Sequence, residues 1–373
     1  MSVRAGVEDE RLMAAALAFG RRSLGLCAPN PSVGALIVRD GALVGRGVTA
    51  PGGRPHAERN AIDEAGAAAA GATLYVTLEP CLHHGRGPPC AQGIVAAGIA
   101  RVVSALEDPD PRVAGMGHRL LREAGLDVSV GIGARVARRD HRGHSLRVVA
   151  GRPMVTLKLA RTADGFAAAA GRAPRLLITG EAANLRVQVM RAMHEAILVG
   201  VGTAIADDPL LTVRLPGAVG DPRPLRVVLD SRLRLPPASR LAATARRTRT
   251  LAIATAAAPA ARAAALEALG VEVERVDSDA QGRVSLTGAL RALARRGVTR
   301  VLGEGGPTLG AALIAQGLAD EVVLFTAHSP LGRPGLAALD PAALAALDDP
   351  KRYAEIERDQ FGADEMRRLE RLD

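Results

Sequence analysis

His56 and Glu58 stand two residues apart in the segment "PHAERNA", and Cys81 and Cys90 bracket a loop, "EPCLHHGRGPPC", dense in Gly, Pro and His. The chain has only three cysteines, so two this close invite three explanations: a disulfide, a metal site, or two unrelated buried thiols. One imidazole and two thiolates form a zinc ligand set that leaves a fourth position for water. Zinc lowers the pKa of such a water towards neutrality, which is the chemistry of hydrolytic attack on an electrophilic carbon. A group must then carry the proton, and Glu58 is spaced to face the open position without ligating. Cys90 opens an expected helix, where the N-terminal dipole favours thiolate. A lone histidine at a helix start or a lone pair of core thiols is the ordinary reading; the joint pattern outweighs it. His83 and His84 lie inside the loop and are read as lining a pocket rather than ligating. Cys27 is read as structural.

These four residues need elements to hold them. Residues 9–24 have the spacing of an amphipathic helix. "PSVGALIVRDGALVGRGV" reads as two strands around a tight turn at Asp40-Gly41. His56 to Ala70 reads as a helix ended by Gly71, "ATLYVTLEP" as a strand, and 90–97 as a helix. "ARVVSAL", a helix over 115–125 and "LDVSVGI" continue the alternation. Strand–helix alternation predicts an α/β domain with helices packed on a sheet. The basic stretch 138–153 is the expected linker. A second alternating series follows, with strands at "PMVTLKLA", "EAILVG", "LRVVLD", "RTLAIAT", "VEVERV", "TRVLGEGG" and "DEVVLFTA", and helices over 181–193 and in the Ala-rich 255–268. The expected domains are 1–148 and 149–373.

Composition narrows the function. Three cysteines in 373 residues argue against a disulfide framework. No run of about 18 apolar residues appears, so no membrane span is expected. The start of the chain lacks the features of a signal peptide, which makes a cytoplasmic address the expectation. The net charge of +9 and pI near 10.6 raise nucleic acid as a partner. Aromatics are 2%, however, so stacking platforms for single strands are scarce. Arginines at this density suit phosphorylated small molecules. Only Lys158 and Lys351 are lysines. A compact charge at Lys158, among arginines, reads as functional rather than as an incidental surface residue.

The pair H-x-E and P-C…C is the pattern of zinc nucleobase deaminases, with eight residues rather than two between the cysteines. "APNPSVGALIV", "HAERNAI", "GATLYVTLEPCLHHGRGPPC" and "EDPDPRVAGMG" together resemble the bifunctional riboflavin-biosynthesis deaminase–reductase family. "VTLKLARTADG", "RAMHEAILVGVGTAIADDPLLTVR", "PLRVVLDS" and "GEGGPTLGAALI" extend the resemblance over about 9–335. It implies an N-terminal cytidine-deaminase-like three-layer α/β/α domain and a C-terminal dihydrofolate-reductase-like α/β domain. The implied reactions are deamination of 2,5-diamino-6-(5-phosphoribosylamino)pyrimidin-4-one and NADPH reduction of its ribosyl group to ribityl. The implied roles are zinc ligation by His56, Cys81 and Cys90, proton transfer by Glu58, and substrate binding by Asn30, Lys158, Arg191, Leu211, Arg214 and Glu304. Thr203, Asp207, Ser231, Gly306, Pro307, Thr308 and Leu309 match cofactor positions; the Gly-rich turn before a helix is also a phosphate-cradling geometry on its own terms. The partner is a phosphorylated pyrimidine, not nucleic acid or membrane, and a homo-oligomer is expected.

The chain departs from the family pattern at Thr49, Leu82 and Gly87 in the first half. Sharper departures fall in the second: Arg161 and Thr162 after "LKLA", Arg175-Leu176-Leu177 before "IT", and Asn184 where an arginine is common. They define an alternative in which the second domain is a degenerate binding or scaffold module. Asp208 reads as a possible loop terminator before Pro209. The tail beyond about 340 carries no expected function.

Overall fold

The computed structural model describes residues 3–82, 88–170, 177–215, 217 and 223–372. By contacts the chain divides into two units, Met1–Gly151 and Arg152–Asp373. Among the described residues no helix is long and apolar enough to cross a membrane.

The first unit is built on five strands: β1 (Gly34–Arg39), β2 (Ala42–Val48), β3 (Thr73–Val76), β4 (Arg101–Ser104) and β5 (Asp127–Val130). Their order is β2-β1-β3-β4-β5. β1 runs antiparallel to β2 and β3, and β3, β4 and β5 run parallel. The hairpin turn falls at Asp40-Gly41, both with positive φ (52° and 77°), as a type I′ turn requires. Side chains alternate across the sheet. Ala35, Ile37, Leu74, Val76 and Val102 join one core with the helices Ala57–Ala65 and Cys90–Ala96. Leu36, Tyr75 and Val103 join another with the helix Val3–Gly20. A sheet buried on both faces by helices is the expected three-layer α/β/α arrangement.

Two expectations fail here. The helix after His56 ends at Ala65, because Gly66 takes a left-handed φ of 53°; the alanines beyond form a short 3-10 turn, Gly66–Ala69. The stretch expected as linker is helical, as Ala134–Asp140 and Arg142–Ala150, capped by left-handed Gly151. His141 lies between these helices. It is buried, and its Nε2 lies 3.1 Å from the Thr77 carbonyl oxygen, which ties the segment to the end of β3.

The second unit holds β6 (Met154–Arg161), β7 (Phe166–Ala169), β8 (Ala196–Gly200), β9 (Leu225–Leu229), β10 (Thr250–Ala254), β11 (Glu272–Arg275), β12 (Arg300–Gly303), β13 (Glu321–Thr326), β14 (Gly335–Ala337), β15 (Tyr353–Phe361) and β16 (Asp364–Arg371). Nine form one sheet in the order β11-β10-β9-β8-β12-β6-β13-β16-β15. It is parallel from β11 to β13, and β16 and β15 close the edge antiparallel. β7 and β14 make a separate ribbon. Near-continuous apolar strands such as Ala196-Ile197-Leu198-Val199 suit a parallel sheet covered on both faces. The tail beyond 340 is thus structural: β16 pairs with β13, and Tyr353 and Leu369 join the main core.

Candidate active sites

His56 caps the start of the helix Ala57–Ala65. That helix lies unusually close to β2, because the strand carries Gly45 and Gly47. A Cβ on Gly47 would stand 2.0 Å from the Ala57 carbonyl oxygen, and one on Gly45 2.3 Å from that of Ala61. Only glycine permits this approach, so "VGRGV" sets the position of His56 and Glu58, a signal that patterning alone does not reveal. Cys81 follows β3, and Cys90 opens the helix Cys90–Ala96.

The three meet. His56 Nδ1 lies 3.3 Å from Cys90 Sγ and 3.5 Å from Cys81 Sγ. Their ligand atoms all fall within 4.8 Å of one another. Tetrahedral zinc with ordinary Zn–N and Zn–S bonds sets ligands about 3.6 Å apart, so this triangle fits zinc. All three cysteines are free, which removes the disulfide. Cys27 is buried and its thiol donates to the Asn30 carbonyl at 3.4 Å, a structural role in the loop that carries Asn30. His83 and His84 lie outside the described residues.

Asn30 reaches the triangle. Its amide nitrogen donates to the Gly53 carbonyl at 2.7 Å and lies 3.3 Å from His56 Nε2. Gly53 has φ of 88°, and a Cβ there would come within 2.8 Å of the Asn30 amide nitrogen. Gly53 is a site-shaping residue that sequence reading missed.

Glu58 is 4% exposed. Burial, reinforced by the negative charge of Cys81, pushes its carboxyl up to about 7. That value suits a group that must both take and give a proton near neutrality. The hydrogen bond with Cys90 holds Cys81 down to about 4, and the same bond together with burial pushes Cys90 up.

Glu79 locks the loop that carries Cys81. Its buried carboxylate accepts backbone N–H bonds from Asp108, Gly115, Gly117 and His118 at 2.7–3.2 Å. It thereby satisfies the start of the helix Met116–Glu123. A Cβ on Gly117 would stand 2.0 Å from the Pro80 carbonyl oxygen. "EDPDPRVAGMG" is therefore the clamp on "EPC".

In the second unit a cavity of about 1050 Å³ opens along the carboxyl ends of β6, β12, β8 and β9, the place where open parallel sheets bind ligands. Lys158, Arg191, Leu211, Glu304, Thr203, Asp207, Ser231, Gly306, Pro307, Thr308 and Leu309 all line it. Arg214 is not in the lining: it is exposed, and its backbone N–H donates to Gln188 Oε1 at 2.8 Å. Gly305 must be glycine, since a Cβ would stand 2.5 Å from Leu309 Cδ2. The turn Gly305-Gly306 opens the helix Pro307–Ala315, and the Gly306 N–H donates to Thr203 Oγ1 at 3.1 Å. The cavity's volume and its lining along the ends of four strands, with a glycine turn opening a helix between them, fit an extended dinucleotide.

Two expected phosphate or substrate contacts are engaged with each other. Arg191 and Glu304 form a two-pronged ion pair, and Arg191 also donates to the Thr212 carbonyl. Burial pushes the Glu304 carboxyl up, but the Arg191 guanidinium and the Lys158 charge outweigh it and hold it below its ordinary value. The departures are mild in place. Arg161 donates to Thr326 Oγ1 at 3.1 Å and stays out of the cavity lining. Asn184 lines the cavity and donates to the Thr179 carbonyl, while Leu177 lines it as an exposed side chain. Asp208, with φ of 37°, is the left-handed cap that ends the helix Val201–Asp207 rather than a loop, and it accepts the Arg240 N–H at 2.7 Å. Arg175 and Gly87 lie outside the described residues.

The first unit is of the zinc-dependent cytidine-deaminase class. Residues 7–106 match the cytidine and deoxycytidylate deaminase zinc-binding region, and 153–343 match the RibD C-terminal domain. The riboflavin biosynthesis protein RibD of Escherichia coli is 36% identical over 370 residues, which cover 96% of this chain and 98% of that protein. That of Aquifex aeolicus is 36% identical over 87% of this chain and 88% of that one. Acinetobacter baumannii RibD superposes with a TM-score of 0.85 at 35% identity, covering 99% of this chain and 100% of that chain. A Thermotoga maritima structure described as a diaminohydroxyphosphoribosylaminopyrimidine deaminase/5-amino-6-(5-phosphoribosylamino)uracil reductase gives 0.83 at 31%, covering 99% and 100%. The chain belongs to the RibD family and is a bifunctional riboflavin-biosynthesis enzyme, with a zinc-binding deaminase domain and a reductase domain that uses NADPH.

Proposed function

We propose that the two reactions are divided between residues 1–148 and 149–373, and that the residues carrying them are those gathered at the two sites above. The observation that carries the first half is the His56–Cys81–Cys90 triangle with buried Glu58 beside it. His56, Cys81 and Cys90 hold zinc, which when bound supplies Lewis acidity towards water. Glu58 takes a proton from the attacking water and gives it to the departing ring amine, a two-way task that its raised pKa suits. Asn30, fixed by Gly53, orients the pyrimidine through its amide.

In the second half Gly306, Pro307, Thr308 and Leu309 hold the cofactor at the helix start, Thr203 and Asp207 hold it from the helix Val201–Asp207 after β8, and Ser231 from the loop after β9. NADPH when bound supplies the hydride. Lys158 faces the substrate's sugar phosphate or its reacting carbon, Leu211 contacts the substrate, and Glu304 contacts it too while Arg191 holds that carboxylate in place. Arg214 serves the phosphate from outside the cavity lining. The substrate is the phosphoribosylamino-diaminopyrimidine, and the enzyme works in the cytoplasm as a homo-oligomer.

One mass spectrum tests the whole reading. The purified protein is incubated with that substrate and excess NADPH, and the product is weighed. A product both deaminated and reduced is expected. A product deaminated only would overturn the reductase half, and unchanged substrate the whole.

A further inference from the structure

A guanidinium lies in the core of the second unit with no carboxylate to match it. Arg226 is the second residue of β9 and is fully buried. Side chains alternate along a strand, so it points with Val228 into the core that holds Ile197, Leu211 and Leu241. Its hydrogen bonds all go to neutral acceptors. Nη1 donates to the Leu210 carbonyl at 3.2 Å and to Thr244 Oγ1 at 2.8 Å. Nη2 donates to the Leu241 and Thr248 carbonyls at 3.1 and 2.6 Å and to Thr250 Oγ1 at 2.6 Å. Nε is buried and has no partner among the described residues. Burial, with no negative charge to offset it, pulls the guanidinium down to about 10. A buried charge without an opposite charge is costly, and an apolar side chain of similar volume would fill this strand position at less cost. The acceptors show what the charge is there to hold.

One of them belongs to the segment that follows the helix Val201–Asp207. Asp207, Pro209 and Leu211 of this segment line the cavity. Asp208 and Leu211 sit at φ of 37° and 49°, left-handed backbone that a non-glycine residue keeps only where its surroundings over-determine it. The surroundings do so by pinning every second residue. The Asp208 carboxylate accepts the Arg240 N–H at 2.7 Å, and the Leu210 carbonyl accepts from Arg226. The Thr212 carbonyl accepts from Arg191 at 3.0 Å, and the Arg214 N–H donates to Gln188 Oε1 at 2.8 Å.

The pin from Arg226 bears most directly on Leu211. The Leu210 carbonyl and the Leu211 nitrogen belong to one planar peptide unit, so holding that oxygen fixes the plane from which the Leu211 φ is set. The guanidinium fork suits the task. Nη2 is anchored on the β10 side while Nη1 reaches the segment, and a lysine ammonium is a single point that does not span the two.

We propose that Arg226 is a positioning residue for the reductase reaction: it fixes the Leu210–Leu211 peptide plane and thereby holds Leu211 against the phosphorylated substrate. The proposal rests on the reading of Leu211 as a substrate contact. The full-length protein tests it, as wild type and as Arg226→Lys, Arg226→Met and Leu211→Ala, assayed by NADPH oxidation with the deaminated substrate. Arg226→Lys is expected to raise the KM for that substrate about tenfold, the loss of one hydrogen bond from a charged donor, with kcat, NADPH affinity by calorimetric titration and the deamination rate unchanged. Hydrogen exchange is expected to quicken at the amides of 208–212 and to hold across β8 and β9. Arg226→Met is expected to raise KM likewise; should it not fold, the lysine variant, which keeps the charge on the Thr248 and Thr250 side, carries the test. A raised KM in Leu211→Ala beside an unchanged KM in Arg226→Lys would overturn the proposal. So would an equal loss of NADPH affinity, or faster exchange throughout β8 and β9, either of which marks general damage to the core. An unchanged KM in Leu211→Ala would instead overturn the reading of Leu211 as a substrate contact.

Discussion

Arg191 and Glu304 form a parallel two-pronged ion pair, with Nε to Oε1 2.6 Å and Nη2 to Oε2 2.7 Å. It joins the helix Glu181–Ala192 to the turn after β12. Arg191 is 9% exposed, so its charge is committed to fixing Glu304. Arg191→Met would strand a buried carboxylate and is expected to cost about 3–5 kcal/mol. The double variant Arg191→Met/Glu304→Leu, of similar volume, should recover most of that stability and still fail to reduce substrate. Urea titration checks the first outcome and NADPH oxidation the second. Full stability in Arg191→Met alone would show that the pair does not hold this turn.

Glu58→Gln keeps the shape of the side chain and removes the titrating group. Deamination is expected to fall by about 10²–10⁴-fold, the range of a general acid–base contribution, with one zinc per chain retained. Metal analysis beside a deamination assay separates catalysis from structure. Wild-type activity in this variant would remove Glu58 from the proton path.

Gly53→Ala should damage the same reaction without touching a ligand. The new Cβ meets the Asn30 amide nitrogen at 2.8 Å and the Cys27 carbonyl oxygen at 2.9 Å, in a backbone with φ of 88°. Asn30 must move, at a stability cost of about 1–3 kcal/mol. A raised KM with zinc content intact is the expected readout; an unchanged KM would mean that Asn30 does not contact the pyrimidine.

His194 predicts an acid-sensitive second unit. Burial, followed by the nearby Arg300 charge, depresses its imidazole to about 4. The unfolded chain protonates this group near 6.5, so between those values the unfolded state binds the extra proton. Stability from this group is full above pH 6.5 and falls as pH drops towards 4, by about 3 kcal/mol in all. Hydrogen exchange of β8 and β12 amides at pH 7.5 and 5, corrected for intrinsic rates, measures it. His194→Asn, which can still donate to the Met190 carbonyl now 2.6 Å from Nδ1, should flatten the slope. An identical slope in the variant would assign the effect to other groups.

Much of this was legible in the residues alone. Strand–helix alternation, the Asp40-Gly41 turn and the joint pattern of His56, Glu58, Cys81 and Cys90 are local signals, set by side-chain periodicity and by ligand chemistry. They are sufficient for the fold class and for the three side chains that meet at the His56–Cys81–Cys90 triangle. Positions that depend on neighbours distant in the chain were not legible. Gly45, Gly47, Gly53 and Gly117 matter because of atoms 10 to 37 residues away that a Cβ would strike. Residues 138–153 read as a linker from their charge, yet most of them are helical, and His141 between the two helices packs on Thr77. The family resemblance implies substrate binding by Arg191, yet Glu304, 113 residues on, takes two of its guanidinium nitrogens. Sequence by itself determined which groups could do the chemistry, because that follows from residue type and short spacing. Which of them stand free to do it was decided only by tertiary packing, because a charge or an N–H is spoken for by whatever the fold brings within about 3 Å.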